Sequence, residues 1–361
     1  MKKALVVDWL DKYGGAERVI SSLTSIFDFD TCYTLVNQME KEDLKKVFSH
    51  KKIKIYTTIL NNFGSRFRFL FFLFPYFIKK IYINPKHSLI VSSSFSIAKG
   101  VKKTAPNQIH ICYIQARNQR YLWDKDNIYF SKFLHTLISP VLLSLKKFDI
   151  KQASSPDFLI ANSKFIQNWI KINYNRNSEV IYPPVDVKKF RLEKSKDNYF
   201  IAALRLEPYK RVDLIVKAFN RINEKLIILG SGSQLKFLKK IANKNIEFID
   251  FSDSSVVFDY VSKAKAFVHA GIEDFGIAPV EAQACGTPVI GLKKAGLLET
   301  VIENKTGVFF NDQSEDAILN AIERFKNIDF DPEVIRNNAL RFSKENFENQ
   351  FKNFCKKKLN K

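Results

Sequence analysis

Two glutamates separated by seven residues, Glu273 and Glu281, bracket the run Asp274-Phe275-Gly276-Ile277-Ala278-Pro279-Val280. A strand ending near His269 delivers Glu273 to a glycine-bearing loop. Pro279 pre-sets the first turn of a helix, which puts Glu281 in that turn, and Gly286 stops the helix. A carboxylate at either place can accept hydrogen bonds from two adjacent sugar hydroxyls; read alone, Glu281 equally complements its helix dipole. Upstream, Arg205 and Lys210 flank Pro208, the first at the end of a buried strand and the second at the start of a helix. Two such cations could neutralise a diphosphate, arginine as a clamp and lysine as a point charge, or stand as solvated surface charge. Gly14-Gly15-Ala16-Glu17-Arg18 follows the first strand and opens a helix. Glycines admit a ligand to the backbone, and first-turn N–H groups favour a phosphate. The third glycine of the dinucleotide fingerprint is missing, so a plain tight turn is the competing reading.

These residues need a scaffold of strands ending at one edge. Ala4 to Val7, Ser88 to Ser92, Ile109 to Ile114 and Phe158 to Ala161 read as short buried strands, with Ser163 capping a helix from Lys164 to Asn173. Tyr182-Pro183-Pro184-Val185-Asp186 interrupts the alternation and marks the link between domains. A second series follows: Tyr199 to Leu204, Leu226 to Leu229, Ile246 to Ile249, Ala266 to His269 and Pro288 to Gly291, with helices over Val212 to Asn223, Gln234 to Ala242 and Ser255 to Ser262. The pattern is α/β, with two doubly wound parallel sheets that should face one another across a cleft. The expected domains are residues 1–184, residues 185–340, and a basic C-terminal helix over 341–361 that packs back on the first domain.

No segment reaches the roughly 20 apolar residues of a membrane span, and Asp8 and Asp11 cut the N-terminal apolar run below secretory length. The four cysteines match no metal or disulfide spacing, which suits a reducing cytoplasm. Net charge is +21, and between Leu44 and Trp123 fifteen Lys or Arg occur without one Asp or Glu. Such a field attracts anions. Within it, Arg66 to Lys80 sets aromatic rings between basic flanks, which suits the headgroup boundary of an anionic membrane or, alternatively, a core helix with solvated ends. The aromatics form no stacking module, so nucleic acid is not an expected partner.

With the motifs in this order, the chain resembles the retaining glycosyltransferases of family 4 (group 1), built on the GT-B fold of two Rossmann-like domains, and especially their bacterial mannosyltransferase-like branch. The resemblance runs through Gly14-Gly15-Ala16-Glu17, Val91-Ser92-Ser93-Ser94, Ala98-Lys99-Gly100, Arg120-Tyr121-Leu122-Trp123-Asp124, Ala161-Asn162-Ser163, Val180 to Asp186, the Arg205/Lys210 pair, the two-glutamate motif and Leu297-Leu298-Glu299-Thr300-Val301. It implies that Gly15 touches the donor diphosphate, that Arg205 and Lys210 stabilise the departing nucleoside diphosphate, that Glu273 holds the donor sugar, and that Glu281 binds the ribose hydroxyls. It places Gly230 and Gly232 near the base and gives the backbone of Ala295-Gly296-Leu297 to phosphate. No metal or other cofactor is implied, because cationic side chains substitute for one.

Two positions depart from the family pattern. Gln115 stands where relatives carry a histidine facing the donor sugar, with one residue more in Tyr113 to Tyr121, and Ala295 replaces the first of two glycines. Glutamine can hydrogen-bond a hydroxyl but cannot donate a charged proton. His110 nearby reads as a core residue. The expected activity is transfer of a hexose, mannose from GDP-mannose first, from a nucleotide sugar to a lipid-linked oligosaccharide or another cell-surface polysaccharide precursor. The enzyme would be cytoplasmic, peripheral on the inner membrane face. A catalytically silent nucleotide-sugar-binding partner, invited by Gln115, and a sugar-nucleotide epimerase are the alternatives.

Overall fold

The computed structural model describes residues 2–117, 120–124, 130–250 and 254–359. The chain divides into two compact units, Met1–Pro184 with Glu345–Lys361, and Val185–Lys344.

The first unit holds a seven-stranded parallel sheet. Its strands are β1 (Lys2–Val7), β2 (Thr31–Thr34), β3 (Lys54–Tyr56), β4 (His87–Ser94), β5 (Ile109–Ile114), β6 (Phe158–Ala161) and β7 (Glu179–Val180), in the order β3-β2-β1-β4-β5-β6-β7. Order reverses between β1 and β4, whose register pairs Leu5 with Val91 and Val7 with Ser93. β2 and β3 are absent from the sequence reading, because four and three residues starting with Thr31 and Lys54 carry too little apolar pattern. Parallel strands covered on both faces read as continuous apolar runs, and Ala4 through Val7 are all buried. The C-terminal helix Lys344–Leu359 belongs to this unit from Glu345 on: Phe347 lies edge-on to Tyr113 of β5 at 5.7 Å, and the Tyr113 hydroxyl donates to the Ile181 carbonyl at 3.0 Å. Ser163 caps the helix Lys164–Tyr174 as expected, accepting from the Ile166 N–H at 3.1 Å.

Residues 59–80 are part core and part surface. A 3-10 stretch, Ile59–Leu73, kinked at Gly64 and Leu70, leads into the helix Phe74–Lys80. Phe67, Phe74 and Ile78 are buried, whereas Phe69 is 78% exposed and Phe72 and Tyr76 also face solvent. The long helix Lys132–Gln152 packs beside it, with Phe71 against the buried cluster of Leu122, Leu142 and Leu145. No helix among the described residues is long and apolar enough to cross a membrane.

The second unit holds a six-stranded parallel sheet: β8 (Phe200–Ala203), β9 (Leu226–Leu229), β10 (Ile246–Ile249), β11 (Ala266–His269), β12 (Val289–Leu292) and β13 (Gly307–Phe310), ordered β10-β9-β8-β11-β12-β13. All four residues of β9 are buried, as are all four of β11. Here the order reverses between β8 and β11. Ligands of doubly wound sheets bind outside the carboxyl ends of the strands at such a switch.

Candidate active site

The carboxyl ends of β8 and β11 bear three of the residues singled out by type and spacing, Arg205, Lys210 and Glu273. Arg205 leaves β8 exposed, and among the described residues its guanidinium has no hydrogen-bond or ion-pair partner. The chain then turns through Pro208–Lys210 in a 3-10 turn, with Arg211 in the left-handed region at φ 54°. Lys210 thus sits in the turn and not in the following helix, Val212–Phe219. Its ammonium pairs with Glu273 Oε1. The two side chains retain 16% and 13% exposure, so the pair is shielded while still reachable from solvent.

His269, the last residue of β11, completes this cluster. Its Nδ1 accepts the Gly271 N–H at 3.0 Å, and Nε2 lies 2.9 Å from the same Glu273 Oε1. A backbone N–H can only donate, so Nδ1 carries no proton and Nε2–H donates to the carboxylate. Gly271 permits the approach: a Cβ there would lie 3.0 Å from His269 Cε1 and 3.1 Å from Lys210 Cα. Spacing alone gave His269 no role; the available signal was its place at a strand end four residues before Glu273.

Gly230 and Gly232 lie against the segment leaving β8. A Cβ on Gly230 would stand 2.0 Å from the Leu204 carbonyl oxygen, and one on Gly232 2.4 Å from that of Leu206, so no other residue fits without moving the backbone. The loop is held there by Leu206 N–H to Ser231 O and Gln234 N–H to Leu206 O, both 2.9 Å. Glu207 also accepts from the Ser233 N–H at 3.2 Å and its hydroxyl at 2.7 Å. The loop and the Arg205–Lys210 turn are therefore one assembly.

Two expectations need correction. Glu281 lies in the second turn of its helix, because the helix spans Ile277–Ala284 and has no acid in its first turn. Gly276, at φ 99°, turns the chain into the helix ahead of Pro279, whose missing N–H is tolerated among the unpaired first-turn donors. The dipole reading of Glu281 weakens accordingly, since that effect fades beyond the first turn. Second, the Gly296 N–H is already spent on the Glu273 carbonyl at 2.8 Å. Of the run 295–297, only the Ala295 and Leu297 N–H groups lack an acceptor among the described residues. Gly296 presses on the glutamate loop, where its Cβ would stand 2.4 Å from Phe275 Cα. Ala295 takes φ 53°, a left-handed conformation in which its methyl group is strained, so alanine in place of glycine is unfavourable there.

In the first unit, Gly15 is the first residue of the helix Gly15–Ile26, and no side chain caps that start. Gln115 follows β5, and its amide nitrogen donates to the Ala16 carbonyl at 3.0 Å and to the Ser93 hydroxyl. It therefore ties the glycine-rich helix start to the end of β4. Residues 118 and 119, within the lengthened stretch after Gln115, lie outside the described residues. His110 is fully buried, with Nε2 2.7 Å from the Ser92 hydroxyl and its pKa pushed down to about 3 by burial, which makes it a core residue. Asp8, just past β1, is a residue whose role the sequence reading missed. Burial raises its carboxyl pKa, opposed by backbone N–H donors from Phe95 (2.7 Å), Ser96 (2.9 Å), Ile97 (2.5 Å) and Ala98 (2.6 Å). Lys99, next in line, forms a buried ion pair with Asp149 at 2.7 Å. Among the described residues, no group of three or more His, Cys, Asp or Glu is placed to hold a metal.

Residues 185–342 match the family of glycosyl transferases group 1. An uncharacterized glycosyltransferase of Methanocaldococcus jannaschii is 27% identical over 214 residues, 53% of this chain and 55% of that protein. The O-antigen chain mannosyltransferase RfbU of Salmonella typhimurium is 27% identical over 207 residues, 52% of this chain and 56% of that one. The chain thus spans about half the length of the curated relatives it matches. Among solved structures, the Anabaena protein HepE, in complex with UDP and glucose, superposes with a TM-score of 0.70 at 17% identity, covering 99% of this chain and 100% of its own. Residues 185–342 thus resemble the group 1 glycosyl transferases, and the chain has the GT-B fold of two Rossmann-like units.

Proposed function

We propose that this chain is a retaining hexosyltransferase that moves a sugar, mannose from GDP-mannose first, from a nucleotide sugar to a lipid-linked oligosaccharide or another cell-surface polysaccharide precursor. One observation carries the reading: at the switch point of the second sheet, exposed Arg205 lies on the segment that runs from β8 into the turn of Lys210, whose ammonium is held on Glu273. As the bond from the anomeric carbon to the diphosphate oxygen breaks, negative charge grows on the leaving group. Arg205 and Lys210 supply the fixed positive charge that such a transition state needs, and they do so without a metal. Glu273, oriented by His269, binds hydroxyls of the sugar, and Glu281 binds those of the ribose. The acceptor oxygen takes the place of the departing oxygen on the same face, and its proton passes to the leaving phosphate.

The Salmonella relative's name supports mannose, whereas the Anabaena structure holds UDP. A panel of radiolabelled GDP- and UDP-sugars, assayed for transfer to lipid-extracted acceptors, decides donor and activity together. Transfer from one donor only is the expected result; no transfer and no hydrolysis from any donor would contradict the reading. In that outcome the silent-partner alternative, favoured by the commitment of the Gln115 amide nitrogen to Ala16 and Ser93, takes its place if nucleotide still binds. The acid-free basic stretch and the solvent-facing Phe69, Phe72 and Tyr76 support a peripheral position on an anionic membrane face.

A further inference from the structure

Two buried amides lie behind the two-glutamate motif and take no part in the chemistry proposed above. Gln283 is fully buried on the helix Ile277–Ala284, and Asn338, 6% exposed, comes from the helix Pro332–Leu340. Residues two apart on a helix stand about 200° around its axis. Gln283 therefore turns into the unit from the same helix that carries the partly exposed Glu281.

The orientation of both amides is fixed. The Arg341 guanidinium donates to Asn338 Oδ1 at 2.8 Å, and arginine only donates. The Asn338 nitrogen thus faces the other way, onto Gln283 Oε1 at 2.7 Å and the Thr300 carbonyl at 2.8 Å. That contact settles Gln283 in turn. With Oε1 accepting, its nitrogen donates to the same Thr300 carbonyl at 2.9 Å and to the Pro279 carbonyl at 3.3 Å.

Thr300 ends the short helix Leu297–Thr300, and its hydroxyl donates to the Gly296 carbonyl at 3.3 Å. The Gly296 N–H is the group bonded to the Glu273 carbonyl. One line of hydrogen bonds therefore runs from Glu273 through Gly296 and Thr300 to the two amides, and on to Pro279, two residues before Glu281. Lys210, whose ammonium rests on Glu273, is held at one end. Arg336, from the same helix as Asn338, clamps the other by donating to the Ala284 carbonyl. Buried amides cost free energy unless every bond is made, whereas methionine and leucine would fill the space without that demand. A fully satisfied polar network selects one arrangement of the elements it joins. This one joins the two glutamates.

We propose that Gln283 and Asn338 are positioning residues for the donor: the amide pair sets the spacing of Glu281 from Glu273 and Lys210, so that both ends of one nucleotide sugar are met at once. The inference rests on the roles proposed above for those three residues and adds what holds them in step. A nucleoside meets Glu281, and its diphosphate meets Lys210 as well. Loosening the network keeps each contact and removes the gain from their fixed spacing.

Guanosine with GDP, and uridine with UDP, are titrated calorimetrically against the wild-type chain, Gln283→Met, Asn338→Leu and the double variant, at a temperature where thermal melts show each one folded. In the wild type, the diphosphate of one pair is expected to bind far more tightly than its nucleoside. Each single variant should lose about tenfold or more of that advantage, with nucleoside affinity kept within about twofold. The double variant should lose little more than either single one, because the amides act as a unit. Ile335→Ala truncates a buried apolar residue of the same helix and touches neither amide, so it should lower stability and leave the advantage unchanged. A kept advantage in folded Gln283→Met or folded Asn338→Leu overturns this inference alone, and if one variant does not fold the other decides. An equal loss in Ile335→Ala also overturns it, by making the amides no more than structural. Equal binding of nucleoside and diphosphate in the wild type would instead remove the Arg205–Lys210 reading, and this inference with it.

Discussion

His269 donates from Nε2 to Glu273 Oε1 at 2.9 Å, and the Gly271 N–H on Nδ1 leaves the imidazole no other tautomer for that bond. The carboxylate is thereby fixed from two sides, by His269 and by the Lys210 ammonium. In the account proposed here, a glutamate that binds sugar hydroxyls works only if its oxygens are aimed before the sugar arrives.

His269→Ala is expected to lower kcat/KM about 10- to 100-fold, the range for losing a hydrogen bond to a charged group, mainly through kcat. His269→Gln, able to donate one N–H, should recover part of the loss. Steady-state kinetics with the donor found in the panel check both variants, and nucleotide binding reports folding.

Ala295 at φ 53° predicts a stabilising substitution. Ala295→Gly removes a side chain from a left-handed position and should raise unfolding free energy by about 1 kcal/mol. Urea unfolding measures it; a destabilised variant would show that the methyl group gains more from its contacts than it loses in strain.

Burial sets the pH response of His110. Its folded pKa of about 3 lies below the ordinary value of 6.5. Above pH 6.5 both states hold the ring neutral. As pH falls below that, the unfolded chain binds a proton that the folded chain refuses, so stability drops by up to about 1.4 kcal/mol per pH unit until about pH 3. His110→Asn should flatten this limb of the stability profile. An unchanged slope would mean that other groups carry it.

Membrane attachment predicts that the chain co-sediments with anionic vesicles and not with neutral ones, less so at high salt. A triple change of Phe69, Phe72 and Tyr76 to serine should release it at constant charge. Absence from both vesicle types at every salt concentration would remove the membrane from the account.

Much of this architecture was legible because parallel strands buried on both faces betray themselves as apolar runs, as in Ala4 to Val7 and Leu226–Leu229. The short, polar-started strands Thr31–Thr34 and Lys54–Tyr56 escaped notice, since so few residues cannot show a pattern. The helix Lys132–Gln152 escaped for a different reason: Pro140 interrupts it, and Phe133, at 82% exposure, and Leu137 put apolar residues on its outer face. In the candidate site, the grouping of Lys210 with Glu273 required the register of β8 against β11, which no spacing in sequence contains. Glu281 was displaced by one turn because Gly276, and not Pro279, opens its helix. His269 became visible only when Gly271 let the turn at Lys210 close onto it.

The central claim is that Arg205 and Lys210 balance the charge of a departing nucleoside diphosphate. Its most direct test is the turnover rate of Lys210→Ala and Arg205→Ala with the donor sugar that wild-type enzyme uses, at saturating acceptor. The account predicts a fall in kcat of about 10²–10³ for each, the range for removing one group that stabilises transition-state charge, in protein that melts as the wild type does. Full kcat in either folded variant would contradict it.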